Sequence, residues 1–408
     1  MDEIAREYLL IGLGVGELEE GVVDAYYGPP ELAEEARAAT HTAPDLAARA
    51  DALRESVRTV DDAQRRRWLD RQLLALATLA RNIGGERLPY LDEVERCFDA
   101  RPEQTPPSEY AAAREALEDL LPGVGDLRDR LAQREERLTV PKEKLSAAIE
   151  WLVGELRAGA AQHFEIPNGE DLSVELVTDK PWGAYNWYHG NLRSLIEYNT
   201  DLPVRATALV STLAHETFPG HHLEHASKEQ RLLHEQGRLE ASIQLINTPE
   251  AYVSEGLAEA GLRFVAPNGR WQELLLGACR LAGVPMSTQD ADREWHTSKQ
   301  LERLGGSGGD AALQLHVDGR SQDDVVTFLE REALAPHDRA VKSMDFLIHP
   351  LWRTYVFCYS GGERLLNRWL DAAPSPTEAR NRFARLLTEQ LTPSGIAEEI
   401  GRESAVQV

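Results

Sequence analysis

Residues 215 to 225 read His-Glu-Thr-Phe-Pro-Gly-His-His-Leu-Glu-His. Four of the 12 histidines fall in this window of 11, where uniform scattering over 408 residues would place about a third of one. Imidazoles interleaved with carboxylates are what a divalent metal and its activated water require.

The His-Glu-x-x-His spacing of zinc peptidases sets two imidazoles one helical turn apart on one face. Here the position four after His215 is Pro219, so that spacing is absent. Pro219 also lacks the N–H that would bond the His215 carbonyl, so a helix must kink or restart there. Gly220 gives the backbone freedom to do so. A two-residue bulge would carry His221 to the place of the missing ligand, with His215 and His221 on the metal and Glu216 as general base. The same stretch also holds the inverted pattern His-x-x-Glu-His, from His221 to His225 with Glu224 as base. Spacing leaves open both registers, the choice among His221, His222 and His225, and a purely structural cluster beside a kink.

A catalytic zinc keeps three protein ligands and one open position. Glu255, in Ser254-Glu-Gly-Leu-Ala-Glu259, is the candidate third ligand, 39 residues past Glu216. Gly256, Ala258 and Gly261 are small enough for close packing against the metal helix. Glu259 shares the face of Glu255 and is a supporting or substitute ligand.

The elements that would position these groups read as mainly helical. The first 165 residues are rich in Ala, Leu, Glu and Arg, which favour helix. Apolar residues at helical spacing, such as Leu69, Leu73, Leu76 and Leu79-Ala80, mark residues 44 to 83, and residues 111 to 121 and 142 to 164 look alike. Pro-Pro at 29–30 and 106–107 marks breaks. This part reads as an array without chemistry of its own. Near residue 165 the composition shifts. Residues 173 to 177 and 191 to 200 carry strand signals, with an aromatic, turn-rich stretch at 182 to 188 between them. Asp201 and Pro203 then fit the start of the helix that leads into His215. Thr248-Pro249-Glu250 is a second helix start, and Gly305 to Gly309 is a flexible loop. The division is residues 1–165, a helical region, and 166–408, the metal-binding catalytic region, the two expected to form one continuous helical unit.

Net charge of −24 argues against nucleic acid and against anionic membrane surfaces, because phosphate contacts need a basic face. Three distant cysteines offer neither a CxxC zinc site nor a disulfide framework. With no signal-peptide pattern at the start and no long apolar run, a cytoplasmic, reducing setting is expected.

The motif His215-Glu-Thr-Phe-Pro-Gly-His221 and the segment Glu255-Gly-Leu-Ala258 resemble the signature of the bacterial DUF885 family, grouped with the zinc metallopeptidases. Asn199-Thr200, Leu315-His-Val-Asp-Gly319 and Tyr359-Ser-Gly-Gly362 resemble further stretches of it, over roughly residues 165 to 370. The chain departs from the family in a shorter N-terminal region and in Tyr355-Val-Phe-Cys358, where the family has Pro-Gly-Gln-Ala. The resemblance implies a mostly helical, gluzincin-like fold, to which the strand signals add a small β-sheet next to the metal helix. It favours the first register, since it keeps His215, Glu216 and His221, and it puts glutamine where this chain has Glu224.

The expected function is zinc-dependent hydrolysis of short peptides: Zn2+ on His215, His221 and Glu255, and Glu216 as general base. Tyr359, with small neighbours that permit close approach, is the first candidate to donate to the oxyanion, and His316 the second. Strand 191 to 200 would pair with extended substrate along its edge, and Arg353 could hold a substrate carboxylate or a structural ion pair. The alternatives are a hydrolase of a non-peptide amide or ester, and a non-catalytic helical binding protein with a degenerate metal site.

Overall fold

Helix-forming stretches and their proline and glycine breaks set the architecture, which is mainly helical with two small sheets. The computed structural model describes residues 2–406. Helices Ala43–Val57 and Ala63–Ile83 take up the first periodic stretch, and Pro107–Leu120 and Lys142–Ala160 the later ones. Leu69, Leu73, Leu76 and Ala80 form the buried stripe that their spacing predicts. Each Pro-Pro pair ends at the first residue of a helix, Pro30 and Pro107, where the missing N–H costs nothing.

Five strands are seen among the described residues: β1 (Val23–Tyr26), β2 (Asp171–Val177), β3 (Ala184–Tyr188), β4 (Arg193–Asn199) and β5 (Ile243–Leu245). One sheet runs β2-β4-β3, with β2 parallel and β3 antiparallel to β4. The expected strands at 173–177 and 191–200 are β2 and β4. The aromatic stretch, expected as a turn-rich loop, supplies β3 at residues 184–188, because aromatic residues suit a half-buried pleated surface. β4 is the middle strand, so both its edges are paired and it has none free for a substrate; the sheet's outer edges belong to β2 and β3. The second sheet pairs β1 with β5 antiparallel and ties the N-terminal region to the segment after the metal motif.

Two more expectations need correction. The helix toward His215 begins at Ala206, not at Asp201. The Asp201 carboxylate instead accepts from the Asp179 N–H at 3.0 Å. The glycine run 305–309 is a turn followed at Ser307 by a buried helix, Ser307–His316. Its glycines are there for close approach: a Cβ on Gly308 or Gly309 would lie 3.0 Å from Val356 or Phe357.

One core cluster takes side chains from Tyr8 through Ile396, from both of the regions read in the sequence. A second tie is ionic, since Arg65 holds the fully buried Glu240 at 2.6 and 3.0 Å. Glu229 fixes the sheet to the helix that follows the motif. Its carboxylate accepts from the N–H groups of Asn191 (2.9 Å) and Leu192 (3.1 Å) and from the Tyr188 hydroxyl.

Candidate metal centre

Helix Ala206–Glu216 ends on His215 and Glu216, and helix His221–Lys228 begins after a four-residue reversal. With no N–H on Pro219, the chain closes the reversal by other bonds: Gly220 N–H to the Ala214 carbonyl (3.1 Å) and Leu223 N–H to that of Thr217 (3.2 Å). A Cβ at Gly220 would stand 1.8 Å from the His215 carbonyl oxygen, so only glycine fits the turn. The reversal sets the Nε2 atoms of His215 and His221 3.1 Å apart.

Helix Pro249–Val265 brings the third group. Thr248 caps its start, its side chain accepting from the Ala251 N–H. Two glycines permit its close packing: a Cβ on Gly256 would lie 2.5 Å from the backbone of Gly362, and one on Gly261 2.7 Å from Pro219. Gly261 thus packs on the metal turn as expected, while Gly256 packs on helix Val356–Asp371. Glu255 Oε2 then lies 3.3 Å from His215 Nε2 and 3.7 Å from His221 Nε2. His215, His221 and Glu255 form the one such group of three ligating side chains found among the described residues.

The donors fit a metal. Bonds of about 2.0–2.1 Å in a tetrahedron put neighbouring ligand atoms about 3.3 Å apart. The three separations here bracket that value. Glu255 Oε2 is buried and has no hydrogen-bond partner of good geometry; it faces the two imidazole nitrogens, an arrangement that a cation shared by all three would complete. The far sides of the ligands are held as metal ligands usually are. His215 Nδ1 lies 3.2 Å from Glu259, His221 Nδ1 3.2 Å from the Ser254 hydroxyl, and Glu255 Oε1 accepts from the Tyr355 hydroxyl at 2.8 Å. Glu259 therefore supports His215 and is not a fourth member of the group.

The electrostatics favour positive charge at this point. Burial disfavours a charged imidazole, but Glu255 and Glu259 outweigh it at His215 and push its pKa up; Glu224 and Glu255 do the same at His221, to about 10. Glu216 is buried, and its carboxylate has no hydrogen-bond partner among the described residues; its backbone carbonyl accepts from Asn186 at 2.8 Å. Burial raises its pKa, with His215 and His221 pulling it partly back.

The other motif residues are engaged elsewhere. Glu224 accepts from Lys228 at 2.7 Å and from Ser254 at 2.5 Å. Burial opposes its ionisation, but Lys228 and His221 win and hold its pKa below the usual carboxylate range. His225 meets Gln244 at 2.7 Å, and burial drives its pKa down to about 3. His222 lies between Ser194 (2.8 Å) and Glu170 (2.9 Å). The inverted register thus places neither a free base nor a second imidazole at the group of three.

A cavity of about 170 Å³ opens on this group and is lined also by Asp24, Tyr185, Asn186, Tyr355 and Tyr359. Tyr359 is 42% exposed, and its hydroxyl has no hydrogen-bond partner among the described residues. His316, the second oxyanion candidate, does not line the cavity: it bonds the Leu347 carbonyl at 2.8 Å and stacks on Tyr90. Arg353 pairs with Glu93, a structural role. Sequence reasoning missed Tyr355, although it stands one helical turn before Tyr359. It also missed Asp24, because only the pairing of β1 with β5 brings that residue here.

No family model matches the chain, and no curated protein does. Among solved structures it is similar to a "putative lipoprotein" from Colwellia psychrerythraea, with a TM-score of 0.57 and 14% identity over 87% of this chain and 66% of that one. It is also similar to such a protein of unknown function from Shewanella oneidensis, with a TM-score of 0.51, 12% identity, and 90% and 76% of the chains covered. An M32 carboxypeptidase from Deinococcus radiodurans R1 gives a TM-score of 0.41 at 13% identity, covering 99% and 95%. The chain spans about two thirds of the Colwellia protein's length. No helix among the described residues is long and apolar enough to cross a membrane. What the chain shares with the Colwellia and Shewanella proteins is a fold, mainly helical with small sheets.

Proposed function

We propose that the chain is a metal-dependent hydrolase of short peptides, with His215, His221 and Glu255 as the ligands of a zinc ion. The observation that supports this best is the convergence of two Nε2 atoms and Glu255 Oε2 on one point. Resemblance of the same residues to the DUF885 signature points the same way and suggests a gluzincin-like relationship. Zinc there would supply Lewis acidity and a water acidic enough to ionise near neutral pH.

The chain's own groups have these roles. Glu216 takes the proton of the attacking water and passes it to the leaving amine; its raised pKa suits a group that must both accept and release a proton. Glu259, Ser254 and Tyr355 hold the three ligands in orientation. Tyr359 donates its free hydroxyl to the carbonyl oxygen as charge develops on it. The open edge of β3, whose Ala184, Tyr185 and Asn186 line the cavity, pairs with extended substrate. A closed structural site is disfavoured, because Glu259 is spent on the far nitrogen of His215 and the fourth side faces the cavity.

The test is elemental analysis of the purified protein together with digestion of a peptide library. About one zinc per chain and cleavage abolished by a chelator and restored by zinc are expected. Metal-loaded protein with the three ligands substituted to alanine and metal content unchanged would refute the assignment.

A further inference from the structure

We infer that the cavity beside the metal group is a subsite for a protonated amine, with Asp24 as the residue that reads it, so that the substrate enters by its free N-terminus. This rests on the hydrolase reading above and adds its substrate class.

Size comes first. A cavity of about 170 Å³ is small beside the roughly 300–1,000 Å³ of sites for larger ligands. It suits one end of a chain rather than its middle. Charge then chooses the end. Asp24, Glu216, Glu224, Glu250 and Glu255 line it, and among the described residues that do so the one Lys or Arg is Lys228. Lys228 is already held between Glu224 (2.7 Å) and Glu250 (3.0 Å). No guanidinium or ammonium in the lining is left to hold a C-terminal carboxylate. Glu255 and Glu216 have work at the metal, which leaves Asp24 as the carboxylate with no Lys or Arg partner in the lining. The Tyr185 hydroxyl donates to it and fixes its position. Asp24 lines the same cavity as His215, His221 and Glu255.

A separate observation asks for a hydrogen-bond donor. Asn186 is 8% exposed, lines the cavity and gives its amide N–H to the Glu216 carbonyl, which leaves Oδ1 a buried acceptor with no partner. An ammonium or peptide N–H would meet it. Tyr27, Trp352 and Tyr355 also line the cavity, and aromatic rings are better company for a cation than for an anion.

The experiment compares the zinc-loaded protein's affinity for leucine hydroxamate and N-acetyl-leucine hydroxamate by calorimetry, and its cleavage of one peptide in free, N-acetylated and C-amidated forms. The free amine should bind about tenfold tighter or more. Acetylation should lower kcat/KM by about 100-fold, and amidation should leave it unchanged. Asp24→Asn should remove most of the hydroxamate preference without weakening the acetylated ligand. If that variant does not fold, Tyr185→Phe, which keeps the carboxylate but frees it, should reduce the preference. Equal binding of the two hydroxamates, or loss of cleavage on amidation instead of acetylation, overturns the inference. An amine preference with no cleavage of any peptide supports the subsite and overturns the peptidase reading.

Discussion

Glu216→Gln separates catalytic from structural roles because the two predict opposite signs. Glu216 is a buried carboxylate without a hydrogen-bond partner among the described residues, and burial raises its pKa. The folded chain therefore binds this proton more tightly than the unfolded chain does. Ionisation costs stability as pH rises above the ordinary value of 4.5 toward the folded one. Glutamine removes that cost while keeping the shape. Relief of an unpaired buried charge is worth about 1–2 kcal/mol. With an unfolding entropy of about 2.1 cal/mol/K per residue, a chain of 408 residues gains about 1 °C in Tm per kcal/mol. The chelated variant should thus melt about 1–2 °C above the chelated parent near neutral pH. That gap should close as pH falls to the ordinary glutamate range. Metal content should be unchanged, and kcat should fall by about 10²- to 10⁴-fold. Calorimetric melts across pH, metal analysis and peptide hydrolysis give the three readouts. A variant that melts lower and loses metal would make Glu216 a structural residue, and one with parental kcat would end its role as base.

Gly220→Ala should cost most of the bound metal, because its Cβ would lie 1.8 Å from the His215 carbonyl and the turn must open, moving His221; metal titration checks this. Glu259→Ala should weaken metal binding about 10- to 100-fold with little loss of fold, as read by competition with a chelator, since it frees the far nitrogen of His215. Metal binding at neutral pH should release at least one proton, because Glu255, Glu259 and Glu224 hold protons on the His215–His221 pair in the metal-free site; calorimetry in buffers of different ionisation enthalpy counts them, and no release would contradict the electrostatics. Tyr359→Phe should lower kcat about 10²- to 10³-fold at constant metal content, whereas His316→Ala should leave kcat intact and cost stability.

How far the site could be read in the sequence depends on how far apart its members stand along the chain. His215, Glu216 and His221 were legible because Pro219 forbids one geometry and Gly220 permits another, all within seven residues. Glu255 was legible through its small neighbours, which announce a close helix contact even though part of that contact is with Gly362. The helical character of the chain followed from periodicity, since the stripe from Leu69 to Ala80 needs nothing outside its own helix to be seen. The strand order was not legible in this way. Residues 191 to 200 have a strand's pattern whether the strand lies at an edge or in the middle, and only partners β2 and β3 decide that it is central.

The histidine count pointed to the segment but not to which of its members converge. His222 and His225 are as close in sequence to the metal group as His221 is, but their hydrogen-bond partners, Ser194, Glu170 and Gln244, lie on other elements. An imidazole whose ring nitrogens are met by serine and carboxylate is a tie between helix and sheet, and composition cannot distinguish it from a ligand. Asp24 is the extreme case. It stands in a region that reads as a scaffold without chemistry, and it enters the cavity because β1 pairs with β5, more than 200 residues away. A carboxylate brought so far by strand pairing and half-buried without a Lys or Arg partner in the lining costs the fold stability. The proposed amine subsite would supply a reason for that cost.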